Sequence, residues 1–214
     1  TIATWEPRGC YDSQQPADPD RVEVADHVAD GLALLDLLSW RDRRFVCGGW
    51  SMGIELGLEI YDLLPQSVRA LVLINGAFEH VLKTAFKLPH ADPLFNALLT
   101  VGEAAGPLAT RLVRNLLGRD WAVSVLQNMG IVTENEVFFG EVVRDFRGLD
   151  FGFYSRMIRF LNKHSARHIL PKVKVPTLVT AGTKDKMTPL STARELAAGL
   201  KDSELFIVPN GTHY

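Results

Sequence analysis

The chain alternates short apolar runs with amphipathic stretches, a pattern typical of strands separated by helices. Runs that predict buried strands lie at residues 1–5, 44–48, 71–74, 175–182 and 204–209. Residues 22–38 and 54–64 carry apolar side chains at intervals of three and four, which indicates amphipathic helices. Another helix is predicted over residues 189–200, with Pro189 in its first turn. This order predicts an α/β fold with one mostly parallel sheet covered by helices on both faces.

The middle of the chain breaks this alternation. Between residues 79 and 168 no strand pattern occurs, and helical stretches are separated by proline and glycine. Thr133 and Glu136 have capping-box spacing, which predicts a helix reaching about Phe146, and residues 150–163 predict another. We therefore expect a core formed by residues 1–78 and 169–214, with residues 79–168 as a helical insertion.

A serine lies at the predicted corner between the second strand and the helix that follows. The segment Gly49-Trp50-Ser51-Met52-Gly53 has the G-x-S-x-G pattern of a nucleophile elbow. Such a turn holds the serine in a strained backbone conformation, so small residues are expected at positions 49 and 53. A serine can also serve only as a turn former. The strand before it and the helix after it favour a nucleophile.

Two later strand ends provide an acid and a base in the chain order that this architecture uses. Asp185 lies in the polar loop after residues 175–182, and His213 follows the last strand in a glycine-containing turn. Asp185 could instead cap the next helix. Glu79 is a rival acid, because some members of this fold carry the acid after the strand that follows the elbow helix, where neutral Asn75 cannot stabilise an imidazolium.

The remaining histidines give little reason to expect a metal. His164 and His168 are four residues apart, but the residues between them, 165–167, are Ser-Ala-Arg, so no glutamate stands in H-E-x-x-H register. We expect no metal site and no cofactor.

Together these motifs resemble the α/β-hydrolases, in particular the lid-bearing esterases and lipases. The elbow, residues 175–189 and the ending Gly211-Thr212-His213 carry the resemblance, and Arg8-Gly9 is similar to the loop after the family's fourth strand. Glu6 stands near a usual aspartate, and Cys10-Tyr11 replaces a usual small pair. The resemblance implies that residues 79–168 form a lid. It also implies that about three strands precede Thr1 and that one helix follows Tyr214.

The same resemblance implies an activity and a role for each site residue. Ser51 would attack a carbonyl, His213 would carry the proton, and Asp185 would orient the imidazole. Met52 would donate its backbone N–H to the oxyanion, with the second donor upstream of Thr1, and Trp50 would line the substrate pocket. The expected substrate is a small or medium apolar carboxylic ester. An acyltransferase, a lactonase, a carbon–carbon hydrolase or a non-catalytic binding module are the alternatives.

Composition and charge argue against several classes of binding partner. The formal net charge is −2, with 23 basic and 25 acidic residues, which argues against nucleic acid and against an acidic membrane surface. No apolar run approaches the ~18 residues that span a bilayer. Cys10 and Cys47 lack C-x-x-C spacing, so we expect a reducing, cytoplasmic setting. The oligomeric state stays open.

Overall fold

The computed structural model describes residues 1–83, 85, 90–117, 119–128, 130, 131, 143 and 146–214. Its elements in chain order are α1 (Val24–Leu37), β1 (Phe45–Trp50), α2 (Gly53–Leu63), β2 (Val68–Ile74), α3 (Ala91–Leu116), α4 (Asp120–Asn128), α5 (Phe151–Leu161), a 3-10 helix (Arg167–Lys172), β3 (Thr177–Gly182), α6 (Leu190–Gly199) and β4 (Ser203–Val208). The helix predicted to begin at Thr133 lies almost wholly outside the described residues.

The four strands form one parallel sheet in the order β1-β2-β3-β4. Trp50 lies opposite Ile74, which lies opposite Thr180, which in turn lies opposite Phe206. Because the strands are parallel and in this register, the loops that leave them emerge at the same edge of the sheet. Ser51, Asp185 and His213 all belong to those loops.

The prediction of a strand over residues 1–5 is wrong. This segment has no regular secondary structure, and the described sheet ends at β1. A cleft of about 520 Å³ is lined both by this segment, including Trp5, and by β1, including Phe45. A strand needs a neighbour within ~5 Å for its backbone hydrogen bonds. Among the described residues, no backbone hydrogen bond joins residues 1–5 to β1.

One apolar cluster joins the sheet to its helices. Fully buried side chains from α2, the strands and α6 include Ile54, Leu58, Leu73, Val179 and Leu196. The contacts of α2 run along β1 and β2, whereas those of α6 run along β3 and β4. Burial of these aliphatic side chains, at about 1.5–3 kcal/mol each, is the main force that fixes the elbow helix on the sheet.

Between β2 and β3, helix α3 packs along α5. The long helix α3 bends at Gly106, whose φ is +43°, directly before Pro107. On the N-terminal side of this bend, Glu103 accepts hydrogen bonds from Arg156 and Arg159 of α5. Although α3 has 26 residues, no helix in the described part of the chain is long and apolar enough to cross a membrane.

A buried carboxyl group lies on the elbow helix without a hydrogen-bond partner. Glu55 has 0% of its surface exposed, and neither of its carboxyl oxygens has a partner within the described residues. Burial, and then the nearby charges of Glu59 and Glu79, raise the pKa of Glu55 well above its usual range. The folded protein therefore binds a proton here that the unfolded chain releases above about pH 4.

We expect Glu55→Met to stabilise the protein, increasingly so as pH rises. A group with a raised pKa in the folded state supports stability below its unfolded pKa, and that support is lost as pH rises toward the folded value. The loss amounts to about 1.4 kcal/mol per pH unit, and methionine removes it. Urea unfolding of both proteins between about pH 5 and pH 8 measures the difference. Glu204→Gln, at an exposed position, serves as control. If the gain in unfolding free energy from Glu55→Met did not change with pH, the raised pKa of Glu55 would be contradicted.

Candidate active site

Ser51 occupies the sharp turn between β1 and α2. Its φ is +55°, in the left-handed region that side chains other than glycine and asparagine rarely adopt. The Ser51 N–H donates to Ile74 O at 2.9 Å, and the Ile54 N–H donates to Ser51 O at 3.1 Å. These two bonds fix a conformation that costs about 1–3 kcal/mol, and the strain is typical of functional turns.

The two glycines of the elbow are not equivalent. A Cβ at position 49 would lie 1.9 Å from Gly53 O, so Gly49 must lack a side chain, whereas a Cβ at position 53 would meet nothing within 4 Å. The expectation that both positions need small residues is therefore correct for Gly49 and wrong for Gly53. Helix α2 begins at Gly53, and the position that a Cβ of residue 53 would occupy is open.

This difference provides a matched pair of substitutions. Gly49→Ala should destabilise the fold by about 1–3 kcal/mol, because the added methyl overlaps backbone atoms that cannot move without opening the turn. Gly53→Ala should stay within about 0.5 kcal/mol of wild type. Denaturant unfolding compares them, and equal losses of stability in the two variants would contradict the close approach at Gly49.

His213 connects the serine to the acid. Its Nε2 lies 3.0 Å from Ser51 Oγ, and its Nδ1 lies 2.9 Å from Asp185 Oδ2. Only 2% of His213 and 4% of Asp185 are exposed. A carboxylate can only accept, so Nδ1 carries the proton and Nε2 is left to accept the Ser51 hydroxyl proton. The structure thus brings together the three residues that the sequence singled out, in an arrangement suited to nucleophilic attack.

Thr188 forms hydrogen bonds to the Asp185 carboxylate, a role that the sequence analysis missed. Its N–H donates to Asp185 Oδ1 at 2.8 Å, and its hydroxyl donates to Asp185 Oδ2 at 2.8 Å. The same hydroxyl oxygen is 3.3 Å from His213 Nδ1. Both carboxylate oxygens are therefore held in place. A threonine three residues after an aspartate in a polar loop was the available signal, since such pairs form side-chain turns.

Side chains from the end of β1 and from the residue after β2 hold the backbone of the loop that carries His213. Asn75 Nδ2 donates to the carbonyls of Thr212 and His213 at 3.0 and 3.3 Å, and Trp50 Nε1 donates to His213 O at 3.2 Å. Asn75 has a φ of +42°, which asparagine tolerates better than most residues. The sequence identified Asn75 only as the neutral residue at the alternative position for the catalytic acid. Its role here is to position the loop that carries His213.

Met52 directly follows Ser51 at the start of the elbow helix. It directly precedes the 11-residue helix α2. Within the part of the chain that the structure describes, no hydrogen bond occupies its N–H. The helix N-terminus adds partial positive charge at the same point. An oxygen that gains negative charge beside Ser51 would be stabilised there.

The rival acid is engaged elsewhere. Arg167 donates to Glu79 from Nε at 2.9 Å and from Nη2 at 2.6 Å, and Ser165 Oγ donates at 2.8 Å. These bonds, led by the one from Arg167, lower the pKa of Glu79 to about 2. Glu79 makes no bond to His213, whose Nδ1 is directed to Asp185. The carboxylate of Glu79 instead joins residues at the two ends of the helical insertion.

A cavity of about 420 Å³ opens beside Ser51. Trp50, Met52 and Tyr214 line it near the serine, and Tyr154 and Met157 of α5 line it from the helical insertion. Tyr214 packs edge-on against Trp50, with ring centroids 4.6 Å apart. Most of these side chains are apolar or aromatic, which suits an organic substrate. Trp50 thus lies in the cavity wall where the sequence had placed it.

The described residues contain no group of three histidine, cysteine, aspartate or glutamate side chains that could hold a metal ion. His164 Nε2 lies 3.0 Å from Glu59 Oε1, beside a carboxylate but without the geometry of a hydrogen bond to it. Cys10 and Cys47 are free, buried thiols. Burial raises the pKa of the Cys47 thiol to about 11, so it is protonated at neutral pH.

Comparison with curated proteins gives weak but consistent similarity. The serine hydrolase BPHL of Mus musculus is 25% identical over 215 residues, covering 100% of this chain and 63% of that protein. The putative carbamate hydrolase RutD of Yersinia enterocolitica is 26% identical over 200 residues, covering 92% of this chain and 65% of that protein. The chain therefore spans about two thirds of the length of these relatives.

Solved structures show the same fold. The enol-lactonase from Burkholderia xenovorans LB400 superposes with a TM-score of 0.75 at 20% identity, covering 97% of this chain and 72% of that one. An esterase from Exiguobacterium antarcticum gives a TM-score of 0.70 at 18% identity, with 97% and 72% covered. The family described as alpha/beta hydrolase fold matches residues 1–214 in full. This chain belongs to the α/β-hydrolase family.

Proposed function

We propose that this chain carries the catalytic site of a serine hydrolase that cleaves a small or medium apolar carboxylic ester. The observation behind the proposal is the continuous contact from Ser51 Oγ through His213 to Asp185, at 3.0 and 2.9 Å. A buried imidazole between a hydroxyl and a carboxylate is the arrangement that activates serine for attack on a carbonyl.

The proposed reaction proceeds through an acyl-enzyme. Ser51 Oγ attacks the ester carbonyl carbon while its proton passes to His213 Nε2, and the carbonyl oxygen becomes an oxyanion near the Met52 N–H. Collapse of this intermediate breaks the bond to the alcohol oxygen, which leaves with the proton from Nε2. Water then attacks the acyl-enzyme with the same proton relay and releases the acid and free Ser51.

The orientation of the imidazole depends on the acid loop. Asp185 accepts from Nδ1 and stabilises the imidazolium that forms when Nε2 takes the proton. Thr188 holds both oxygens of Asp185, so the carboxylate cannot rotate away from the ring. The contacts of Asn75 and Trp50 to the His213 backbone restrict the loop itself. This preorganisation reduces the rearrangement needed at the moment of reaction.

The cavity wall supports the choice of an apolar ester. Tyr154, Met157 and Ile158 of α5 lie in the same cavity as Ser51, and they provide aromatic and aliphatic surface. We infer that residues 79–168 act as a lid, because α5 belongs to this segment and lines the cavity. Carbamates and lactones are the second candidate substrates, since relatives of this chain include proteins named carbamate hydrolase and enol-lactonase.

A series of p-nitrophenyl esters of increasing acyl length tests the proposal. We expect hydrolysis with kcat/KM highest for short or medium chains, because a cavity of about 420 Å³ limits the acyl group. A lactone and a carbamate with the same acyl size are measured in parallel. Binding of the esters without turnover would instead support a non-catalytic binding module and contradict the proposed activity.

A further inference from the structure

One loop of the active-site cavity carries uncompensated negative charge. The loop of residues 6–12, here called the rim loop, contributes Glu6, Cys10 and Tyr11 to the wall of the cavity that contains Ser51. Among the described residues that line this cavity, Glu6 alone carries a charged side chain at neutral pH. Within the described wall, the one formal charge is therefore that of this carboxylate.

No cation of the rim loop neutralises that carboxylate. Glu6 Oε2 accepts a hydrogen bond from the Asp12 N–H at 3.1 Å, which keeps the carboxylate on the loop and brings a second acidic residue beside it. Arg8 is directed to α1, where it donates to Asp30 Oδ2 at 2.8 Å and to Asp26 O at 3.0 Å. In the described part of the chain, no ion pair involves Glu6.

The field of Glu6 reaches into the cavity wall. Burial, and then the negative charge of Glu6, raise the pKa of the Cys10 thiol to about 11. Cys10 in turn contacts Met157 of α5, with 3.8 Å between the two sulfur atoms. The rim loop and the helical insertion therefore meet in the wall of the cavity that Glu6 also lines.

The remaining wall also suits a cation. Trp50, Tyr154 and Tyr214 line the cavity, and the rings of Trp50 and Tyr214 lie 4.6 Å apart. The faces of aromatic rings attract ammonium groups, most strongly where water is partly excluded. An anionic group would meet these same ring faces and the carboxylate of Glu6, with no positively charged side chain in the described wall to balance it.

We propose that Glu6 makes this site selective for esters that carry a positive charge on an apolar chain and disfavours esters that carry a negative charge. The inference rests on the ester hydrolysis proposed above and names the substrate class of that same site. Glu6 acts as a specificity-determining residue, because it adds attraction or repulsion to a substrate that Ser51 attacks.

Three matched esters test this selectivity. Their acyl chains have the length that the enzyme hydrolyses fastest and end in a trimethylammonium group, its neutral tert-butyl isostere or a carboxylate. We expect wild-type kcat/KM to fall in that order. Glu6→Gln should reduce the ratio of cationic to anionic ester about three- to ten-fold, since an exposed charge acts through partly screened electrostatics. Glutamine keeps the acceptor for the Asp12 N–H, so the rim loop is retained.

Two controls separate a local effect from a general one. Glu204→Gln removes the same charge from exposed β4 and should leave the ratio unchanged. Adding salt to about 0.5 M should reduce the wild-type ratio, because the Debye length shortens below 5 Å. An unchanged ratio in Glu6→Gln, or a wild-type preference for the anionic ester, would overturn the inference while leaving ester hydrolysis intact. Failure to hydrolyse any of the three esters would contradict the proposed function itself.

Discussion

Ser51→Ala is expected to abolish ester hydrolysis, lowering kcat by about 10⁴-fold or more. In the proposed mechanism, the hydroxyl that this substitution removes is the group that bonds to the substrate, and it lies 3.0 Å from His213 Nε2. Alanine fits the turn because its methyl occupies the place of the serine Cβ. Initial rates on the best p-nitrophenyl ester, measured at matched enzyme concentration, give the comparison.

The fold must survive the substitution for this result to count. Circular dichroism and the urea midpoint of Ser51→Ala should match wild type, since the backbone bonds of Ser51 N and O do not involve the hydroxyl. Activity of the folded variant above about one hundredth of wild type would exclude the serine mechanism, because loss of a triad nucleophile costs far more than that.

Asp185→Asn should lower kcat by about 10³- to 10⁴-fold while leaving KM nearly unchanged. Asparagine keeps the size of the side chain but presents an amide that cannot stabilise the imidazolium. It can also bind Nδ1 in the wrong tautomer, which places a proton on the Nε2 that must accept one from Ser51. Steady-state kinetics on the same ester, with Thr188 left intact, measure the effect.

Glu79→Gln is the matched control for the acid. The change weakens the bonds from Arg167 and Ser165, so a loss of stability is expected, but kcat should stay within about three-fold of wild type. If instead Glu79→Gln lost more activity than Asp185→Asn, the acid would have been assigned to the wrong strand end.

The placement of the site could be predicted because it depends on local pattern. Apolar runs and helix spacing located β1, α2 and β3 to within a few residues of the bounds found. Residues at the carboxyl ends of parallel strands must meet at one edge, so Ser51, Asp185 and His213 could be named together from chain order alone. Nothing about the intervening chain was needed for that inference.

Contacts that depend on three-dimensional approach could not be predicted. The hydrogen bond from Asn75 to the His213 carbonyl joins residues 138 positions apart, and no spacing pattern in the sequence predicts it. The different demands at Gly49 and Gly53 follow from where α2 passes the strand end, which the G-x-S-x-G pattern does not encode. Residues 1–5 have the composition of a strand, yet a strand exists only where a neighbour supplies hydrogen bonds.

The most direct test of the central claim is labelling with a fluorophosphonate that reacts with activated serines, followed by peptide mass spectrometry. We expect one adduct, on Ser51, that forms in wild type, is absent in Ser51→Ala and forms far more slowly in His213→Ala, because the imidazole must take the Ser51 proton. No adduct on the folded wild-type protein, or an adduct on another residue that persists in Ser51→Ala, would contradict a catalytic Ser51.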